Sequence, residues 1–388
     1  MDNLEYLAVH KCDFTYHRTI DGKFDMAGEW DVARPETFGR PGMDEILNLI
    51  GTKGRPDRRL AVSYTFSYLQ FPAGKVAESV ENMLNLSLLY DVPVIVHLDG
   101  VNWWLARPDL WNFWDESKPG YNPDNIRNVE RYGWGMDTAV KTGWRNWGMQ
   151  IRVPPAPNLA SPAFLAEQTK VLDIILPVIS GWYGALPENK KYLLGGVVFG
   201  WELSTYVQAY FYENGNEIFE NDPAEDPQGN IEADTLALGY AAAETLGIQA
   251  EGAITEETED RICSFYMDFL IQAAIRHGID PKKIIAHSFY GLKAKNGGGQ
   301  SGAASVSDVE GVIPGWSWYD EDFAKIDRAI DKANGKKWAA IEVKPFGLTP
   351  EVLEHLFAHR ENRYVNIYNW EGIMGDRNTL NAIAAALK

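Results

Sequence analysis

Two glutamates stand where a charge is hard to bury. Glu202 lies in GVVFGWEL and Glu342 in WAAIEVKPF, runs otherwise made of apolar and small residues. A carboxylate in such a run must be paired, hydrogen-bonded or turned into a cleft. Two carboxyl groups carried to one place by separate segments can flank a scissile bond from two sides. That is the equipment for breaking a glycosidic linkage, where one group moves a proton and the other attacks carbon or activates water. The competing reading is a pair of structural carboxylates bonded to Arg or Lys.

Other polar residues close similar runs: Asp13, His97 and Asp99 in HLDG, His287 and Tyr290 in AHSFYG, Tyr319, and Asn369 and Glu371 in YNWEG. Asp99 with Glu371 is the second candidate pair, although Asp-Gly is also a turn signal. The histidines make no metal case. His10 and His17 have no H-x-H or H-E-x-x-H context. His355 and His359 share a helical face, which the pattern puts outside the core as a solvated surface. G-x-S-x-G is absent, and Ser288 has no glycine on its N-terminal side. No cofactor is implied.

The elements that must hold these residues are legible as eight short apolar runs: 4–12, 58–66, 93–99, 192–203, 283–290, 311–319, 338–346 and 364–372. Buried parallel strands read this way because both faces are covered. Between most of them the spacing predicts helices. Residues 74–91 place Val76, Val80, Met83, Leu84 and Leu88 on one face. Ser161-Pro162 opens a helix to about Ile179, and Thr255 opens one to about His277. Others start at Asp320, ending on Gly335, and at Thr349-Pro350; the last covers 378–387. Such alternation fits a (β/α)8 barrel or a doubly wound sheet. No G-x-G-x-x-G follows the first run and no P-loop occurs, so the expectation is one (β/α)8 TIM barrel over 1–388. GGGQSG at 297–302 reads as a loop. Long insertions, about 100–160 and 213–233, follow strands three and four on the face where barrels build active sites.

On that frame the residues resemble the 4/7 superfamily (clan A) of retaining glycoside hydrolases: a glutamate at strand four, another at strand seven, and a Trp at strand eight. The resemblance implies a retaining β-glycosidase with Glu202 as acid/base and Glu342 as nucleophile. It implies Trp370 as a platform under the sugar, Tyr319 or Trp318 against the nucleophile, and His287 as the strand-five histidine. One departure stands out: the position before the acid/base, ordinarily Asn, is Trp201. Asn102, Asn369 or His97 are the candidates to contact the sugar 2-hydroxyl instead.

Residues 100–150 hold Trp103, Trp104, Trp111, Trp114, Trp134, Trp144 and Trp147, half of the chain's 14 tryptophans. Indole faces stack on pyranose rings. Most of the seven are expected to form a satellite core, with Trp103 and Trp104 expected to reach the cleft. Arg107 and Arg145 are candidates to bind hydroxyls or to pair with acid. The chain has 54 acidic against 36 basic side chains, a net charge of −18. That disfavours nucleic acid and anionic membranes, leaving a neutral β-linked glycan or oligosaccharide as the expected substrate. The two cysteines, Cys12 and Cys263, exclude a disulfide scaffold and a four-cysteine zinc site. MDNLEYLAVHK lacks the regions of a signal peptide, and no apolar run is long enough to span a bilayer. The protein is therefore expected to be soluble, either cytoplasmic or exported with its leader absent from this sequence. The alternatives are a carbohydrate-binding barrel without catalysis and a barrel hydrolase or lyase of another mechanism.

Overall fold

The computed structural model describes residues 4–12, 14, 19–20, 23–24, 34–102, 104, 106–141, 143–146, 150–153, 155–205, 207–208, 236–289, 305–319, 323–332 and 337–388. Eight strands form the barrel: β1 Glu5–His10, β2 Arg58–Ser67, β3 Val94–Asp99, β4 Leu194–Leu203, β5 Ile284–Ser288, β6 Ile313–Trp318, β7 Lys337–Val343 and β8 Glu361–Ile367. Each pairs in parallel with its sequence neighbours, and β1 pairs with both β2 and β8, so the sheet closes. This is a (β/α)8 TIM barrel. Each of the eight apolar runs overlaps one of its strands, although β2 runs on to Ser67, β7 starts at Lys337 and β8 starts at Glu361, outside the expected bounds.

Helices cover the outside: α1 Arg40–Ile50, α2 Ala73–Tyr90, α3 Pro162–Ala185, α4 Tyr240–Leu246, α5 Glu256–Arg276, α6 Ala324–Lys332, α7 Pro350–Ala358 and α8 Arg377–Ala386. Three start as their sequences dictate. Ser161, Thr255 and Thr349 accept the N–H of the residue three positions on with their side-chain oxygens, satisfying a donor with no partner inside the helix. α3 runs past the expected Ile179, through Pro177, because Trp182 and Tyr183 keep its last turns packed on the core. α1 and α4 are additions to the sequence expectation. Neither is capped by the side chain of its own N-cap residue: Gly39 and Gly239 stand there. The expected start at Asp320 and end at Gly335 lie outside the described residues, as do 213–233 and GGGQSG.

The barrel interior is layered by strand alternation. One set of inward residues is apolar: Tyr6 and Ala8, Ala61, Ile95, Val198, Ile285, Ile313, Ala339 and Ile341, and Tyr364. Two positions further along several strands the same face turns polar: His10, Ser63, His97, His287 and Asn366, all buried. Period two thus carries each strand from an apolar floor to a polar layer at the C-terminal end. The alternate set, with Leu7, Val9, Leu60, Val62, Val94 and Val96, faces the helices in the larger core.

The tryptophan-rich segment folds on itself. Trp104 is buried, donates its indole N–H to the Pro155 carbonyl at 2.9 Å and meets Phe164 edge to face. Trp111 donates to the Trp104 carbonyl and stacks on Trp114, and Trp134 packs against Tyr240.

Candidate active site

Two interruptions in the sheet aim the two glutamates. Between β4 and β5, the chain of β4 advances from Phe199 to Leu203 while β5 advances only from Ala286 to Ser288. The surplus is the bulge Gly200-Trp201-Glu202. Gly200 has φ +77, and a Cβ there would sit 2.7 Å from the His287 carbonyl oxygen. Glu202 itself has φ +50, a left-handed backbone that costs a non-glycine residue about 1 kcal/mol or more. Between β6 and β7, Ala340 pairs with Trp316 but Glu342 pairs with Ser317. The extra residue in β7 turns Glu342 inward. Bulges redirect side chains, and they concentrate beside active sites.

The two carboxyl groups meet at one phenol. The Tyr319 hydroxyl lies 2.5 Å from Oε1 of Glu342 and 3.1 Å from Oε1 of Glu202. The two Oε1 atoms are therefore no further apart than the sum of those distances. The indole N–H of Trp201 donates to Oε2 of Glu342 at 2.9 Å. Trp201 thus works on the carboxylate across the barrel from its own strand, by the only donor it has. Ser317 donates to Oε1 of Glu202 at 2.6 Å, and Nε2 of His287 lies 3.0 Å from the Ser317 oxygen.

A phenol has one proton, and the shorter contact takes it to Glu342. With Trp201, Glu342 then accepts two donors, an arrangement that suits its anion. Burial first, then the charge of Glu202, push the Glu342 carboxyl well above the usual range. Two carboxylates this close hold one proton between them. The Tyr319 hydroxyl is itself pushed up by burial and by both glutamates, so it stays a neutral donor.

The surrounding imidazoles are neutral. Burial lowers His97 to about 4, opposed by its bond to the Gly200 carbonyl. Burial and His97 hold His10 and His287 well below the ordinary imidazole range. A carbonyl only accepts, so the Nε2 of His97 carries the proton and donates to Gly200, gripping the bulge. Its Nδ1 accepts from the Tyr368 hydroxyl at 2.9 Å. Tyr368 stacks on His10 at 3.9 Å between centroids, and Ser63 links His10 to Asn366.

The structure brings Glu202, Glu342, Tyr319, Trp201, His97 and His287 together. It assigns other places to several expected partners. Trp370 is fully buried in a short turn after β8, Trp370–Ile373, and its N–H donates to Glu45 at 2.6 Å. It has no open face for a sugar. Trp104 is equally enclosed, as described above. Trp318 alternates outward from Ser317 into the helix-facing core against Phe323. Asp99 accepts the N–H groups of Val101 and Asn102, capping the turn after β3. Glu371 accepts the Cys12 N–H and pairs with buried Lys11, which also meets Glu45. Asp99 and Glu371 are thus each held in local structure. Asn102 bonds the Trp201 carbonyl at 3.1 Å, steadying the bulge. Asn369 is exposed just past β8. Arg107 pairs with Asp109 and Glu167, and His359 with Asp327. Trp103, Tyr290, Asp13 and His17 lie outside the described residues.

Among the described residues of the site, the sequence did not flag Ser317, Tyr368, Ser63, Asn366 or Thr65, whose hydroxyl lies 3.3 Å from Nδ1 of His97. Tyr368 continues the inward alternation of Tyr364 and Asn366, which is the signal that could have found it.

No protein-family model matches the sequence, and no curated protein does. Among solved structures, the chain is similar over 99% of its length to GH26A from a Muricauda species, covering 88% of that chain at 10% identity and a TM-score of 0.43. It is similar over 98% to the catalytic domain of a Bacillus species GH26 endo-beta-1,4-mannanase, covering 85% of that chain at 12% identity and a TM-score of 0.39.

Proposed function

We propose that this chain is a retaining β-glycosidase acting on a neutral β-linked glycan or oligosaccharide. Glu202 is the acid/base and Glu342 the nucleophile. The observation that carries the reading is the shared contact of both carboxyls with Tyr319. It keeps their Oε1 atoms closer together than the about 6.5–9.5 Å that an inverting pair needs to seat a water, which is compatible with the about 5–5.5 Å of a retaining pair. Two donors on Glu342 favour the anion that must attack. The proton kept by the pair is then available on Glu202 for the leaving oxygen.

In the first step Glu342 attacks the anomeric carbon as Glu202 protonates the departing oxygen, leaving a glycosyl ester on Glu342. In the second, Glu202 takes a proton from water, which displaces the ester and frees the sugar. Tyr319 loses its carboxylate acceptor on Glu342 when the ester forms and regains it on hydrolysis. The ring of Tyr319 and that of Phe346, exposed after β7, offer apolar faces at the same end of the barrel.

Incubation with 2-deoxy-2-fluoro-β-glycosyl fluorides of the gluco, manno and galacto series, read by intact and peptide mass, tests this. The expected result is one adduct per chain, on the peptide holding Glu342. An adduct on another carboxylate would overturn the assignment. Full activity on aryl glycosides in both Glu202→Gln and Glu342→Gln would overturn the reading itself.

A further inference from the structure

The two-glutamate reaction as written above gives Ser317 no part, yet Ser317 is 2% exposed and sits between Glu202 and His287, which is 0% exposed. Its oxygen is 2.6 Å from Oε1 of Glu202 and 3.0 Å from Nε2 of His287. A hydroxyl has one proton and two acceptor sites. If that proton goes to Glu202, the oxygen wants a donor from behind, and the imidazole supplies one only in its Nε2–H tautomer. We propose that Ser317, backed by the Nε2–H of His287, is the positioning residue of Glu202: it keeps a hydrogen-bond donor on Oε1 through both steps of the reaction. This rests on the glycosidase reading above and adds to it a residue pair that sets how strong an acid Glu202 is.

Three observations support the direction of the chain. His287 is neutral at neutral pH through burial and the proximity of His97, so it carries a single N–H. Its Nδ1 has no hydrogen-bond partner among the described residues, and an orphaned acceptor is a commoner defect than an orphaned N–H. The other tautomer would create that orphaned N–H and draw the Ser317 proton away from Glu202. The register also fits. Ser317 pairs with Glu342 across the β6–β7 irregularity, so the bulge that turns the nucleophile inward also fixes the height of Ser317.

Among the described residues, the groups facing Glu202 include Glu342 from β7, Ser317 and Tyr319 from β6, and His287 from β5. His97 from β3 acts through the Gly200 carbonyl, and Tyr368 from β8 lies behind His97. A donor on Oε1 stabilises the carboxylate more than the acid, so losing it makes Glu202 a weaker acid. It also releases the carboxyl to rotate.

Two measurements test this. In the wild-type protein with 15N-labelled histidine, long-range proton–nitrogen spectra report the tautomer. The expected result is protonated Nε2 and bare Nδ1 on His287. A protonated Nδ1 overturns the proposal without reference to activity. In Ser317→Ala, kcat/KM is measured on the phenyl and 2,4-dinitrophenyl β-glycosides of the sugar that labels the protein. The expected loss is about tenfold or more on the phenyl glycoside, which needs acid help, and under about twofold on the dinitrophenyl glycoside, which does not. The alkaline limb of the phenyl profile moves to higher pH, and Ser317→Thr restores the wild-type ratio. Equal losses on both glycosides with an unmoved limb would mean a merely structural role and overturn the proposal. Failure of the underlying reading looks different: the wild type itself would form no adduct and turn over neither glycoside.

Discussion

Glu342 carries opposite demands: a buried, charged neighbourhood that resists its anion, and two donors that favour it. The balance has a thermodynamic signature. A carboxyl whose folded pKa lies above its unfolded value contributes stability that is fully present below the ordinary carboxylate pKa. That stability is lost as pH rises through the folded pKa. Glu342→Gln removes the titration but keeps the shape. The difference in melting temperature, variant minus wild type, should therefore be smallest near about pH 4 and climb as pH rises toward about 8. Calorimetry across that range checks it; a flat or falling difference would show that burial does not disfavour the anion. The same variant should lose activity on the order of a thousandfold or more. At this scale the glutamates were readable because a carboxylate inside an apolar run has few structural excuses. Trp370 was not, because an indole under a sugar and an indole bonded to Glu45 are spelled the same way. Ser317 was overlooked because a small hydroxyl in a strand is unremarkable until its neighbours are known.

The meeting of the two glutamates, and with it the proposed catalysis, depends on irregular strand ends more than on regular strands. Gly200→Ala adds a Cβ against the His287 carbonyl at a backbone angle that L residues resist. It should cost about 1–2 kcal/mol of stability. The larger effect is on rate, by about a hundredfold, since small misplacements of an acid/base are heavily amplified. Denaturation midpoints and kcat on one aryl glycoside separate the two, and an unaltered rate would show that the bulge does not aim Glu202. A second element-level device is Glu130. Its buried carboxyl accepts the N–H groups of Gly239, Ala241 and Ala242 at the start of α4, and that of Arg131. Burial pushes it up to about 7 against those four donors. It fastens the segment after β4 to the segment after β3. Glu130→Gln puts an NH2 group against at least one backbone N–H and should destabilise by about 1–3 kcal/mol. Urea midpoints at pH 7 would reveal it, and no change would mean the helix start is held by other contacts. The helices with Ser or Thr caps were visible in the sequence. α1 carries Gly39, Pro41 and Gly42 at its start, residues that blur a helical pattern, and a Cβ at Gly42 would lie 2.7 Å from Phe14.

For the molecule as a whole, the count of eight apolar runs separated by helical stretches, with no nucleotide-binding turn after the first, pointed to the barrel rather than an open doubly wound sheet. The role of the tryptophan-rich insertion was less legible. Composition signals aromatic surface but not which side of it meets solvent, and Trp104 and Trp111 face inward. The net charge of −18 acts on the scale of the whole surface. Turnover of a neutral glycan should be indifferent to salt, whereas a carboxymethylated version of the same glycan should be cleaved faster as ionic strength rises and screens the repulsion. Rates measured at low and high salt decide this; equal salt responses would place the charge away from the cleft. The surplus length in β4 has a last consequence. Ladder pairs with β5 bracket it at Phe199 and Leu203, so the arch of backbone carrying Glu202 lies outside the regular hydrogen-bond ring. Shortening that one peptide arch should change the gap between the two carboxyls, and under the proposed mechanism the balance between keeping and flipping the sugar's stereochemistry. No strand of the barrel would have to shift register to do it.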